Sequence, residues 1–195
     1  MPSRELRLKV TMVVLITMAW GTGVGFAGTV IERAVAFVAK KPVLLSDVEL
    51  AMALLKLDEA AAIESSIDER LMFEEASRLV SETPSDELVE RAVLVLRQKA
   101  GDRFTQAALR RKALVQLAIA SYIDQRLRPQ VRVEDAEVRK AFNESVVSDA
   151  QTSAFTLVAD AIRESLEQRA LDQKIEEWVG SLRRREDVRR VPARH

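Results

Sequence analysis

A long stripe of apolar side chains near the end of the chain constrains the fold more than any other feature. Large apolar residues recur every three to five positions between Ala154 and Arg184. They are Val158, Ile162, Leu166, Leu171, Ile175, Trp178 and Leu182. This spacing predicts one long α-helix with a single apolar face. Such a face is stable in water only when other elements cover it, so the remainder of the chain must supply a packing surface.

Five further helices are predicted from capping residues, stop signals and apolar spacing. Ser46 and Glu49 form a capping box that begins the first helix. Asp58 caps the second, a cap signal at 83–87 begins the third, and Pro129 ends the fourth. In chain order the predicted helices cover 46–57, 58–80, 83–100, 104–128 and 134–144.

Short runs of β-branched and apolar residues predict a small β element. Val30–Val38 and Val43–Leu45 read as two strands joined by a tight turn, and Asp187–Val191 reads as a short final strand. The chain has 195 residues and no cysteine, so its stability must come from a packed core. The predicted fold class is mainly α, with a small β element and a long C-terminal helix that packs back on the other helices.

The N-terminus has the three-part layout of a secretory signal peptide. Arg4, Arg7 and Lys9 precede an uncharged apolar run, after which small residues dominate up to Ala27. The export machinery accepts the apolar helix, and its peptidase needs small side chains near the cut. The sequence therefore predicts a signal peptide over residues 1–27 and a periplasmic protein, without stable membrane insertion after cleavage.

Residues 10–27 leave an alternative open, because 18 residues reach the lower limit for crossing a bilayer. Without cleavage they would anchor the protein to the inner membrane. In either case residues 28–144 are predicted to form a helical domain. Residues 145–195 then supply a short connector, the C-terminal helix and a possible strand that complete the same core.

Charge and residue types exclude several classes of function. Residues 28–195 carry 27 basic and 29 acidic side chains, a balance that gives no global attraction to nucleic acid. The single histidine is the terminal residue His195, and the sequence has no glycine-rich phosphate loop and no histidine-based metal motif. We therefore predict no catalytic residue, no metal site and no cofactor.

Four large apolar side chains are candidates for the lining of a binding groove between the helices: Met52, Met72, Phe73 and Phe142. Methionine is flexible and polarisable, which suits binding of varied apolar partners. Taken singly, each methionine is explained more simply as part of an ordinary hydrophobic core.

The order of four segments carries a family resemblance. Arg33–Val38 is followed by Pro42–Glu49, then by Ile67–Ala76 and finally by Val131–Val138. This order is similar to the N-terminal domain of SurA-type periplasmic chaperones, and Ile67–Ala76, which resembles the pattern L-I-D-E-x-L-x-x-x-E-A, is its most specific part. The final helix and strand resemble the returning C-terminal elements of that family.

The sequence departs from the family pattern at three places. Lys40-Lys41-Pro42 replaces the usual Asn-Asp turn, and Glu134 replaces the usual serine cap. The family also places parvulin-type prolyl isomerase domains before the C-terminal helix, where this chain has only residues 143–153. The resemblance therefore implies the chaperone module without its enzyme.

The function implied by this resemblance is ATP-independent holding of unfolded extracytoplasmic polypeptides, in particular outer-membrane proteins. Extended, apolar and aromatic-rich client segments would bind reversibly in a groove between helices. Two alternatives stay open: a peptidyl-prolyl cis-trans isomerase, which the missing domain disfavours, and a periplasmic adaptor that binds one folded partner. The protein would be a monomer or a dimer that exchanges its last helix.

Overall fold

The computed structural model describes residues 32–79, 83–145 and 151–192, which form a mainly helical protein with a small antiparallel sheet. The strands are β1 (Ala34–Val38), β2 (Lys41–Leu44) and β3 (Val188–Arg190). The helices are α1 (Leu45–Leu55), α2 (Glu59–Leu79), α3 (Asp86–Ala100), α4 (Gln106–Tyr122), α5 (Asp135–Ser145) and α6 (Gln151–Arg185). The predicted fold class is confirmed. The predicted signal peptide, residues 1–27, lies outside the described residues.

The sheet joins the two ends of the described chain. β1 lies in the middle and pairs antiparallel with β2 on one side and with β3 on the other. Ala39 and Lys40 connect β1 to β2 with φ angles of 46° and 69°. Positive φ at both positions is what a two-residue type I′ turn requires, so the hairpin forms without the Asn-Asp pair of the family pattern.

Side-chain caps begin three of the helices. The Asp58 carboxylate accepts a hydrogen bond from the N–H of Ala61 at 2.8 Å, as the sequence predicts. The Ser85 hydroxyl accepts from the N–H of Leu88 at the start of α3. Thr105 caps α4 in the same way. These caps satisfy N–H groups that have no partner within their own helix.

The predicted capping box at Ser46 and Glu49 is wrong. Helix α1 begins one residue earlier, at Leu45, and no side chain caps it. The Ser46 hydroxyl donates instead to the carboxylate of Glu32. Because the β2 strand runs directly into α1, the Leu45 N–H finds a partner in the backbone carbonyl of Arg33. Arg33, the residue before β1, therefore satisfies the first N–H group of α1.

The helix predicted over residues 104–128 changes form near its end. Its α-helical part stops at Tyr122, a π-helical turn covers Ile123–Leu127, and a short 3₁₀ turn follows over Arg128–Gln130. Pro129 has no N–H to donate to Gln125, and its ring crowds that carbonyl. The wider π turn brings Tyr122 and Leu127, five residues apart, into the same buried cluster.

The main hydrophobic core contains side chains from the sheet and from helices α1, α2, α4 and α6. On α6, Leu171, Trp178 and Leu182 are buried in this core. The Trp178 ring stacks on the ring of Tyr122, with centroids 4.4 Å apart and an angle of 13° between the planes. The C-terminal helix thus packs on the N-terminal helices, as its apolar stripe predicts.

The first half of α6 packs differently, because it lies against α5. The ring of Phe155 on α6 meets the ring of Phe142 on α5 edge to face, with centroids 5.2 Å apart. Arg163 extends this contact by donating to the backbone carbonyl of Val133 and to the carboxylate of Asp135. A second apolar cluster joins α1, α3 and α4 elsewhere in the protein.

Within the described part of the chain, no helix combines the length and the apolar character needed to cross a membrane. The anchor alternative concerns residues 10–27, which lie outside that part.

Candidate functional site

An open groove with a volume of about 940 Å³ lies between helices α2, α4 and α6. We call it the helical groove and define it by residues from each wall. The α2 wall consists of Ala61, Glu64, Ser65, Asp68, Glu69 and Met72, together with Leu57, which lies two positions before the helix. The α4 wall and its π turn supply Gln116, Ile119, Ala120 and Ile123, and the α6 wall supplies Ile175, Glu176, Val179, Gly180 and Arg183. Volumes of this size accommodate ligands larger than a few atoms.

The surface inside the groove is mainly apolar. Met72 contributes a flexible side chain from α2, Ile119 and Ile123 contribute from α4 and its π turn, and Ile175 and Val179 contribute from α6. These side chains are partly covered by the core beneath them, and their remaining surface faces the groove. An apolar segment that bound here would remove that surface from water, which is the main source of binding free energy for such contacts.

Small residues keep the groove open. Ala61 and Ser65 lie on α2, Ala120 on α4 and Gly180 on α6. A Cβ atom added at Gly180 would meet only Arg184 Nη1, at an ordinary contact distance of 3.5 Å. Packing within the protein therefore does not require glycine at this position, and the lack of a side chain leaves space in the groove.

Charged side chains surround the apolar surface, and Arg183 connects several of them. The Arg183 guanidinium donates to Glu64 at 2.9 Å and to the carboxylate of Asp68, so it ties α6 to α2. Arg190 on β3 donates to the second oxygen of Glu64 at 2.6 Å. Glu176 lies two turns before Arg183 on the same face of α6, is exposed, and makes no ion pair within the described residues.

The network shifts the protonation equilibria of its members. Hydrogen bonding to Asp68 and to Glu64 outweighs the effect of burial and raises the pKa of Arg183 above its ordinary value. Burial opposes ionisation of Glu64, but the hydrogen bonds from Arg183 and Arg190 outweigh it and hold the pKa of Glu64 below its ordinary value. Both groups are therefore charged at neutral pH.

A second ion pair lies behind the α2 wall. Lys112 on α4 is only 9 % exposed and donates to the Glu69 carboxylate at 2.6 Å. This pair fixes α2 against α4 and satisfies the buried ammonium group. The adjoining cavity is small, about 190 Å³, and the hydroxyl of Ser66 lies beside it without a hydrogen-bond partner in the described residues.

The structure separates the four candidate lining residues. Met72 lies in the helical groove. Met52 and Phe73 pack against the main core, and Phe73 also lines the small cavity beside Lys112. Phe142 is 4 % exposed and lies between α5 and α6. The four side chains therefore do not converge on one surface.

Sequence reasoning missed the charged part of the site. The basic run that includes Arg183 lies at the C-terminal end of a helix, where positive charge is favourable in any helix, so it does not by itself indicate a partner. Glu64 and Asp68 lie four residues apart and therefore share one face of α2, which was the available signal for an ionic partner. That signal did not indicate which of the many basic residues would meet them.

Comparisons of the chain with models of known protein families, with curated proteins and with solved structures find no match.

Proposed function

We propose that this protein is an ATP-independent holding chaperone of the periplasm that binds apolar segments of unfolded proteins, with outer-membrane proteins among its clients. The observation that supports this proposal is the helical groove, an open and mainly apolar surface of about 940 Å³ between three helices. The resemblance to SurA-type chaperones implies the same type of activity, which is the holding of unfolded polypeptides. Binding of this kind requires no bound nucleotide, because holding a client is an equilibrium process.

The composition of the groove suits varied clients. Isoleucine and valine side chains offer contacts that do not depend on one defined ligand orientation, and Met72 can adjust its shape to different partners. Charged residues at the edges keep the groove hydrated between clients. Contacts of this type exchange readily, and a holding chaperone must release its client without an energy source.

The cellular location rests on residues 1–27. We expect cleavage after Ala27, so that the protein recovered from the periplasm begins at Gly28. N-terminal sequencing of the protein from periplasmic and membrane fractions tests this. A protein that retains Met1 and is recovered with the inner membrane would instead support the anchor alternative.

Suppression of client aggregation tests the binding activity. Purified protein should reduce the light scattering of several unrelated unfolded proteins in the absence of ATP. Ala120→Trp places a large ring at an exposed position of the groove, so we expect suppression to fall at least fivefold. Ala107→Trp is the matched control on the same helix, because Ala107 is exposed and lies outside the groove.

Equal suppression by the two tryptophan variants would contradict the assignment of clients to this groove. Absence of suppression by the unsubstituted protein would contradict the chaperone proposal itself. A standard proline-isomerisation assay on the same sample separates out the enzyme alternative, since clear catalysis would favour it.

One observation favours the adaptor alternative as a second candidate. Leu88, Leu94 and Val95 on α3 are 40 %, 61 % and 50 % exposed, and Leu88 and Val95 lie two turns apart on the same face of this helix. A single folded partner could cover them. Recovery of one stoichiometric folded partner, with no suppression of aggregation, would favour the adaptor over the chaperone.

A further inference from the structure

The walls of the helical groove are faces of helices, and their lining positions give its dimensions. On α2, the lining positions Ala61, Ser65, Asp68 and Met72 follow helical spacing along one face. Eleven residues separate the first from the last, which corresponds to about 16 Å at the rise of an α-helix. The lining positions on α4 and α6 recur at the same spacing. Because the lining on α4 and on α6 extends over about two turns each, the groove is two to three helical turns long.

The walls of this groove limit the hydrogen bonds that the backbone of a bound segment can make. Apart from Leu57, the lining residues lie on helices, whose backbone N–H and C=O groups are already paired within those helices. None of the described residues that line the groove belongs to a strand. An extended segment would lose water from its own backbone groups without gaining new partners, at a cost of about 1–3 kcal/mol for each buried group. A helical segment pairs its backbone internally and avoids this cost.

The small residues of the walls permit the approach of another helix. Helices pack with their axes about 8–10 Å apart, and the distance depends on the side chains at the contact. Ala61, Ser65, Ala120 and Gly180 distribute short side chains over all three walls. Large apolar side chains of an incoming helix can occupy the space above them and contact Met72.

The charges of the groove select the sign of the ligand. Four carboxylates line it, at Glu64, Asp68, Glu69 and Glu176, against one cation, Arg183. Arg183, Arg190 and Lys112 pair with the other three carboxylates, so the uncompensated negative charge is that of Glu176, which is exposed and makes no ion pair within the described part of the chain. A basic side chain beside the apolar face of the ligand would complement it.

From these four observations we infer that the helical groove binds client segments as short amphipathic helices, two to three turns long, that carry a basic residue next to their apolar face. This inference rests on the proposed function and specifies the form of the client segment. It departs from the extended conformation that the family resemblance implies, because the groove offers no backbone partners to an extended chain.

Fluorescence anisotropy with three fluorescent 14-residue peptides tests this inference. The first peptide is amphipathic and carries two lysines beside its leucine face. The second replaces two central residues with proline, and the third replaces both lysines with glutamate. We expect the first to bind and to gain helical circular dichroism on binding. We expect the proline and glutamate peptides to bind at least tenfold and threefold more weakly, respectively.

Substitutions in the protein test the role of charge. Glu176→Lys should weaken binding of the lysine peptide at least threefold at low salt, with a smaller effect at high salt because screening reduces the attraction. Glu177→Lys is the matched control, because Glu177 is the exposed neighbour on α6 and does not line the groove.

The outcomes distinguish this inference from the proposed function. The proline peptide could bind as tightly as the first peptide, gain no helical signal, and lose its binding in Ala120→Trp. That result would overturn the helical form of the ligand and leave the chaperone proposal standing. Equal effects of Glu176→Lys and Glu177→Lys would overturn the charge selection. If no peptide binds, but Ala120→Trp still reduces the suppression of aggregation, the inference about helical clients fails and the chaperone proposal stands. If the unsubstituted protein also fails to suppress aggregation, the inference and the chaperone proposal both fail.

Discussion

Arg183 connects the last helix of the protein to the second through two carboxylates. Its guanidinium donates to Glu64 and to Asp68, and Glu64 also receives a hydrogen bond from Arg190 on β3. These side chains are partly exposed, so each ion pair contributes little to stability by itself. Their importance lies in position, because they hold one end of the groove together.

Glu64 gives this network a pH dependence with a defined sign. Its pKa lies below the ordinary value of 4.5 in the folded protein, so its carboxylate stabilises the fold above that pH. The contribution is lost as the pH falls through the folded pKa. Glu64→Gln should therefore lower the free energy of unfolding by about 0.5–1 kcal/mol at pH 7, and by less below pH 4. Urea denaturation at several pH values measures this difference.

Glu164→Gln is the control for that measurement, because Glu164 is an exposed carboxylate on α6 without an ion pair in the described residues. We expect it to leave stability unchanged at pH 7. A constant deficit of Glu64→Gln from pH 7 to pH 3 would contradict the assigned pKa direction.

Two leucines provide a matched test of the core. Leu71 is 1 % exposed in the main core, whereas Leu94 is 61 % exposed on α3. Leu71→Ala should lower the free energy of unfolding by about 2–5 kcal/mol through lost burial and an internal cavity. Leu94→Ala should change it by less than about 0.5 kcal/mol. Comparable losses in thermal or chemical denaturation would show that α3 is covered in solution.

Helix α6 consists of two halves in different surroundings. Leu171, Trp178 and Leu182 in its second half are buried in the main core. The described side chains of its first half are exposed or only partly buried, and they pack on α5. One continuous helix therefore serves both as a core element and as half of a two-helix pair.

This difference predicts a gradient of hydrogen exchange along α6. Amides over 172–185 should exchange only with opening of the main core, whereas those over 155–165 should exchange through local separation of α5 and α6. We expect protection at least tenfold higher in the second half, measured by hydrogen–deuterium exchange with peptide or residue resolution. Uniform protection along the helix would contradict the division into two halves.

Local sequence signals predicted most boundaries of the helices and strands, but they did not predict which residues from different elements contact each other. The cap at Asp58 depends on a residue three positions away, so a sequence pattern is sufficient to find it, whereas α3 is capped by Ser85 rather than by the predicted Thr83. Ser46 met a carboxylate 14 residues earlier instead, and local spacing cannot reveal that contact. For the same reason the apolar pattern marked Met72 and Phe142 alike, although only Met72 lies in the groove.

On the scale of the whole molecule, the return of α6 and β3 creates the groove. β3 pairs with β1, and the buried half of α6 packs beside α2, so residues from both ends of the described chain meet. Without α6 the groove would lose one of its three walls. The proposed chaperone activity therefore depends on the complete fold rather than on a local motif.

Methyl NMR of the protein with an unfolded client tests the central claim most directly. Met72, Ile119 and Ile175 report on the groove, whereas Leu94 and Val95 report on the exposed face of α3. Our account predicts that titration with an unfolded outer-membrane protein shifts or broadens the groove methyl signals first, and that Ala120→Trp abolishes this change. Perturbation confined to the α3 methyl groups, with the groove signals unchanged, would contradict it.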